Sequence, residues 1–69
     1  SVSDAGVAAL CADTAAVGAY LNVIINLSGI EDAEFSEKIK SEAKKLRDEV
    51  KVLVNETIEI TEKIIEENQ

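Results

Sequence analysis

The pattern of hydrophobic and polar residues divides the chain into two segments of opposite character, separated at Ser28-Gly29-Ile30. Residues 4–27 carry two charged side chains, whereas residues 31–69 carry nineteen, and neither segment contains proline. The pattern predicts one helix over residues 4–27, a turn over residues 28–30 and a second helix over residues 31–66. The fold class we expect is all-α, an antiparallel helical hairpin that forms part of an oligomeric helical bundle.

The first segment is apolar on almost every side. Ser3 is a good N-cap, and the charge of Asp4 suits the positive end of a helix. Gly29 fits the C′ position just beyond the helix. Such a helix is about 36 Å long. Because it is apolar nearly all round and rich in alanine and glycine, we expect it to be buried, with close helix contacts on several sides.

The length of residues 4–27 also suits a membrane span. Asp13 lies near the centre of the segment, however, and much of the remainder is weakly hydrophobic alanine. One central Asp costs about 2.5–3.5 kcal/mol on insertion scales, and alanines offset little of that cost. We therefore expect a buried helix and no membrane partner, with an interfacial membrane element as the weakest alternative.

The second segment carries an apolar stripe whose spacings alternate between four and three residues, as in the seam of paired helices. This first stripe comprises Ile39, Ala43, Leu46, Val50, Leu53, Thr57, Ile60 and Ile64. A second stripe, confined to the C-terminal half, comprises Val54, Ile58, Thr61 and Ile65. A helix of about 55 Å should extend past the first helix, so that another subunit or segment must cover residues 60–65.

Composition narrows the function classes. The single cysteine excludes an intrachain disulfide, and the absence of histidine argues against a zinc site, so we expect no metal. A net charge of −7 disfavours nucleic acid as a partner.

A lone reduced Cys11 is compatible with a cytoplasmic location. Because the chain begins with Ser and has no signal-peptide pattern, we expect it to be a piece of a longer protein.

Asp13 is the strongest candidate for chemistry. A carboxylate among alanine and leucine is desolvated, and such groups serve as general acids. The interpretation that the residues themselves slightly favour is that Asp13 pairs with a lysine or caps a neighbouring helix.

Asn22 and Asn26 are one turn apart and share a face, where they either fix the register of a subunit interface or orient a polar ligand. Asp4 and Asn22 are five turns apart on one stripe of small residues, with about 27 Å between them along the axis. Two antiparallel copies could bring Asp4 of one towards Asn22 of the other.

Two runs of sequence resemble the cyclodeaminase family, which comprises the helical domain of formiminotransferase-cyclodeaminase and the small bacterial methenyltetrahydrofolate cyclohydrolases. They are SDAGVAA at residues 3–9 and GAYLNVIINL at residues 18–27. The Ser-Asp opening and the Asn-Val-x-Ile-Asn ending are the most specific parts. The resemblance extends to about residue 40, beyond which the chain matches only as an amphipathic helix.

The resemblance implies an all-α domain that dimerises through its helices, of which this chain would be the C-terminal two-helix portion. Its substrate would be a tetrahydrofolate derivative. The reaction would be conversion of formimino-tetrahydrofolate to methenyl-tetrahydrofolate plus ammonia, or hydrolysis of the methenyl ring. Asp4 or Asp13 would transfer the proton, with Ser3, Asn22 and Asn26 binding substrate.

The expected partners are a second copy of the chain, an N-terminal segment of the same protein, or both. The parent protein would be the enzyme, and we expect the 69 residues alone to be inactive. The alternative is a non-catalytic helical hairpin that acts as an oligomerisation module.

Overall fold

The structure is a computed structural model that describes residues 1–68. It contains helix α1, Val2–Leu27, and helix α2, Ala33–Glu67, and the described residues form no strand. The two helices pack side by side as an antiparallel hairpin whose Cα atoms extend over 56 × 14 × 10 Å. The all-α hairpin predicted from the sequence is therefore confirmed, while its place in a larger bundle stays a prediction.

The helix starts differ from those predicted. Helix α1 begins at Val2 with Ser1 as its N-cap, so Ser3 lies within the first turn and does not cap the helix. The backbone nitrogen of Ser1 lies 3.1 Å from Oδ2 of Asp4. Helix α2 begins at Ala33, and the carboxylate of its N-cap Asp32 accepts a 3.0 Å hydrogen bond from the backbone of Phe35. The start of each helix thus satisfies a backbone donor with a nearby carboxylate.

The turn does not use the left-handed conformation that is typical of a glycine at C′. Gly29 follows the C-cap Ser28 and so occupies the predicted C′ position, but no glycine among the described residues has a positive φ. Instead, Ser28 remains right-handed, and its hydroxyl donates to the carbonyl of Ile25 at 2.7 Å. The backbone N–H of Ile30 donates to the carbonyl of Leu27 at 3.0 Å. These hydrogen bonds satisfy carbonyl groups at the C-terminal end of α1. In many helices a glycine in the left-handed conformation at C′ has that role.

In the C-terminal half of α2, the face that packs on α1 follows the second stripe more closely than the first, whereas Ile39, Ala43 and Val50 of the first stripe are half-buried nearer the turn. Val54 and Thr61 are 5% and 8% exposed, whereas Leu53 and Ile60 of the first stripe are 63% and 60% exposed. A Cβ atom placed on Gly6 would lie 3.3 Å from Cγ2 of Thr61. The missing side chain at Gly6 lets the helices approach closely at Thr61, and this contact favours burial of the second stripe.

The predicted overhang of residues 60–65 is wrong. Because Gly6 faces Thr61, the first turn of α1 lies alongside the last turns of α2. The lengths are about 39 Å and 52 Å, and the excess of α2 lies near the connecting turn. Ile60, Ile64 and Ile65 are nevertheless 60%, 36% and 39% exposed, so their apolar face is left uncovered within the hairpin, as predicted.

Helix α1 has no buried residue in the hairpin, so the burial predicted for it is not achieved within this one chain. By length and composition alone, Val2–Leu27 is apolar enough to cross a membrane, as are the core helices of many soluble proteins. Most of the apolar surface of α1 is thus available for contacts beyond the hairpin.

Candidate functional site

Asp13 lies on the side of α1 that faces α2. Its carboxylate Oδ2 accepts a hydrogen bond from Nζ of Lys51 at 3.0 Å, which forms an ion pair between the helices. The side chain of Asp13 is 21% exposed and that of Lys51 is 55% exposed. The structure therefore shows the pairing with a lysine that the sequence analysis favoured, because the antiparallel register places Lys51 opposite Asp13.

Arg47 extends this polar region by one turn of α2. Its guanidinium lies 4.3 Å from the ring centre of Tyr20 and 2.8 Å from the carboxylate of Asp48. The hydrogen bond from Arg47 to Asp48 raises the pKa of the guanidinium above its usual value, so the group stays cationic. An open pocket of about 310 Å³ is lined by Arg47 and Asp48 together with Asp13, Val17 and Lys51. The pocket presents both charge signs to solvent beside the helix–helix seam.

The two asparagines are held together on an exposed part of α1. The side-chain amide of Asn26 donates to the backbone carbonyl of Asn22 at 2.8 Å and to its side-chain oxygen at 3.3 Å. Both residues are solvent-exposed, and neither faces α2. This arrangement fixes two amides side by side at one end of the helix, where they could bind a polar ligand or a partner chain.

Asp4 and Ser3 lie at the opposite end of α1. The side chain of Asp4 is 83% exposed, and the hydroxyl of Ser3 lies 3.1 Å from that of Ser1. Between Asp4 and Asn22 runs a row of small exposed residues, which we call the outward stripe: Asp4, Ala8, Cys11, Ala15, Gly18 and Asn22. A Cβ atom added to Gly18 would meet nothing within 4 Å, so the stripe is open to an approaching backbone.

The geometry separates the predicted site residues into two groups. Asp13 is nine residues from Asp4 and nine from Asn22, which corresponds to two and a half helical turns in each direction. Asp13 therefore points away from both, and lies about 13 Å from each along the axis. Within one hairpin, Asp13 faces α2 while Asp4, Asn22 and Asn26 face outward. One chain does not bring the two carboxylates to a single site.

Sequence reasoning missed the specific partners of the inward group. Lys51 and Arg47 were not among the predicted site residues, although the pairing of an apolar-helix aspartate with some lysine was considered. Their proximity to Asp13 depends on the register of the hairpin, that is, on how far α2 is shifted along α1. The heptad pattern alone does not fix this shift to within one helical turn. Among the described residues, no group of three or more Cys, Asp or Glu side chains is arranged to hold a metal ion.

Comparison with known proteins places the outward residues in a family context. The formiminotransferase-cyclodeaminase family model matches residues 1–45, which include all of α1 and the first part of α2. All five predicted site residues fall within this match, whereas Arg47 and Lys51 lie beyond it. No curated protein and no solved structure matches the chain significantly.

Proposed function

The chain belongs to the formiminotransferase-cyclodeaminase family, and we propose that it forms part of an enzyme acting on one-carbon tetrahydrofolates. The reaction is ring closure of formimino-tetrahydrofolate with release of ammonia, or hydrolysis of the methenyl-tetrahydrofolate ring. The observation that carries the proposal is the family match over residues 1–45. The assembly acts in the cytoplasm, and its chemistry needs proton transfer rather than a bound metal.

Asp4 is our first candidate for the proton-transfer group. Release of ammonia requires a proton donor, and hydrolysis requires a base that activates water; a carboxylate can serve in either role. Its side chain is 83% exposed and therefore free to meet a substrate or a partner chain. Asn22 and Asn26 supply exposed amides, and Ser3 an exposed hydroxyl, which would hydrogen-bond polar groups of the substrate.

Asp13 is the second candidate for the same role. Its ion pair with Lys51 at 3.0 Å keeps a cation beside the carboxylate and ties it to α2. Lys51 lies outside the residues that match the family, so this pair also serves a structural purpose in the hairpin.

Completion of the site requires further polypeptide. About 27 Å along α1 separates Asp4 from Asn22, so one copy cannot place both on one substrate. A second copy whose α1 crosses antiparallel along the outward stripe would bring Asp4 of one chain towards Asn22 of the other. The small side chains of the stripe permit the close approach of two helices that this arrangement needs.

The proposal is tested by Asp4→Asn and Asp13→Asn in the intact enzyme, with Glu66→Gln, which changes an exposed carboxylate of α2 outside the proposed site, as the matched control. Ammonia release from formimino-tetrahydrofolate and loss of the methenyl chromophore report the two reactions. Removal of the proton-transfer group should lower kcat about 100-fold or more while substrate binding persists. If both Asp variants keep the activity of the Glu66 control, neither carboxylate transfers the proton. If the intact protein neither binds nor converts either folate, the enzyme proposal is wrong.

The exposed apolar surface supports the alternative, an oligomerisation module without catalysis. Thirteen large hydrophobic side chains of the described chain are exposed in the hairpin. Such a module would form a stable, folded oligomer that binds no tetrahydrofolate. Binding of methenyl-tetrahydrofolate to the assembled protein therefore separates the two functions.

A further inference from the structure

Asn22 and Asn26, which we call the asparagine pair, hold each other in one orientation. The side-chain nitrogen of Asn26 donates to the backbone carbonyl oxygen of Asn22 at 2.8 Å. A carbonyl oxygen only accepts hydrogen bonds, so this contact requires Nδ2 of Asn26 and leaves its Oδ1 on the other branch of the amide. The amide of Asn26 therefore cannot turn over without losing a hydrogen bond.

The same nitrogen fixes the amide of Asn22. Nδ2 of Asn26 also lies 3.3 Å from Oδ1 of Asn22. If the amide of Asn22 turned over, N–H groups of the two residues would face each other and this hydrogen bond would be lost. The N–H groups of Asn22 are consequently directed away from Asn26, on the exposed side of α1.

The locked pair presents two different hydrogen-bonding groups to a ligand. Asn26 directs its N–H groups at Asn22 and offers the acceptor Oδ1, whereas Asn22 offers N–H donors. Four residues separate them, so they are about 6 Å apart along the axis. Asn26 also lies in the last turn of α1, which has no basic side chain, and the partial negative charge of that helix end favours N–H groups of a ligand.

We propose that the asparagine pair binds the edge of the substrate ring on which a carbonyl group lies beside N–H groups. Asn22 donates to the carbonyl, and Asn26 accepts from an N–H group. In a tetrahydrofolate this edge belongs to the pyrimidinone part of the pteridine ring, which carries the 4-oxo group, a ring N–H and the 2-amino group side by side. The inference rests on the proposed function and specifies which part of the substrate the pair recognises.

The lock between the two amides makes Asn22 a specificity-determining residue and Asn26 the residue that positions it. An unrestrained asparagine can present either its oxygen or its nitrogen to a ligand. Because Asn26 prevents this in Asn22, a ligand with an amino group in place of the carbonyl would bring N–H groups against N–H groups. The 4-amino-4-deoxy analogue of tetrahydrofolate is such a ligand. The unmade hydrogen bond should weaken its binding about tenfold or more.

The test compares the affinities of the intact protein for tetrahydrofolate and for its 4-amino-4-deoxy analogue, measured by anaerobic isothermal titration calorimetry. The wild type should prefer tetrahydrofolate about tenfold or more. Asn22→Asp keeps an oxygen that accepts from Asn26 and replaces the free N–H groups by a second oxygen, so it should narrow or reverse the preference. Asn55→Asp makes the same change at an exposed position of α2 and should keep the wild-type preference. Both ligands carry the same acidic tail, so the ratio of affinities removes the general effect of the added charge.

Asn26→Ala is the second variant, because alanine suits a helix and removes the lock without adding a charge. It should also narrow the preference, since the amide of Asn22 can then turn over. Equal binding of both ligands by the wild type overturns the inference, as does a wild-type ratio retained in both variants of the pair. Loss of the assembly in both variants, followed by sedimentation velocity, would place the pair at an interface between chains and contradict the inference. If the wild type binds neither ligand, the proposed function itself is wrong, and the inference is wrong with it.

Discussion

Gly6 and Gly18 are both helical residues of α1, but only one of them faces a neighbour. A Cβ atom on Gly6 would lie 3.3 Å from Cγ2 of Thr61, whereas one on Gly18 would meet nothing within 4 Å. Thr61 has little freedom to move, because it is 8% exposed and its hydroxyl donates to the carbonyl of Thr57 at 2.7 Å. The two glycines therefore offer a matched comparison of helix propensity with close packing.

We predict that Gly18→Ala raises the free energy of unfolding by about 0.5–1 kcal/mol, since alanine is the better helix former. Gly6→Ala should raise the free energy of unfolding by less than Gly18→Ala does, or should lower it, because the added methyl group contacts Thr61 too closely. Urea unfolding followed by circular dichroism measures both. Equal stabilisation by the two substitutions would show that α1 and α2 do not approach closely at Gly6.

The ion pair of Asp13 and Lys51 is predicted to contribute modestly to stability. Lys51 is 55% exposed, so solvent screens much of the interaction. A double-mutant cycle with Asp13→Ala and Lys51→Ala should give a coupling free energy of about 0.5–1 kcal/mol. The coupling should decrease with added salt. No coupling at low ionic strength would contradict the pairing seen in the structure.

At the scale of the helices, the face of α2 that contacts α1 is the most informative feature. Val54 is the one apolar residue among those described that is buried, at 5% exposed, whereas Val52 is 55% exposed two residues earlier. We predict that Val54→Ala lowers the free energy of unfolding by about 1–2 kcal/mol. Val52→Ala should change it by less than about 0.5 kcal/mol. A larger loss at Val52 would place the helix–helix contact on a different side of α2.

The hairpin could be predicted from the sequence, because the change in charge density at Gly29 separates two helical patterns. The rotation of α2 about its own axis, which decides the side that packs on α1, could not be predicted. Its two apolar stripes are offset by about 100° around the helix, and both are hydrophobic enough to be buried. The choice depends on a contact between distant residues, Gly6 and Thr61, which a pattern within one segment does not reveal.

The candidate site shows the same division between local and long-range information. The common stripe of Asp4 and Asn22 follows from helical periodicity, since eighteen residues are five whole turns. That Asp13 points the opposite way follows from the same rule and separates it from them. Its partner Lys51 is 38 residues away in sequence, so only the register of the folded hairpin identifies it.

At the scale of the whole molecule, the hairpin has a small interior and a large apolar exterior. Val54 and Thr61 are its buried residues among those described, while α1 contributes none. A chain with so little buried surface is marginally stable alone, because apolar burial is the main favourable term in folding. We therefore propose that both stability and activity depend on an assembly in which the outward stripe of α1 faces the substrate.

The most direct test of this central claim is a nuclear magnetic resonance titration of the assembled, ¹⁵N-labelled protein with methenyl-tetrahydrofolate. We predict that the backbone signal of Asp4 and the side-chain amide signals of Asn22 and Asn26 shift as the ligand saturates the protein. Signals of Val52 and of other residues on the side of α2 that faces away from α1 should remain in place. The absence of any shift, or shifts confined to the Asp13–Lys51 side of the hairpin, would contradict the claim.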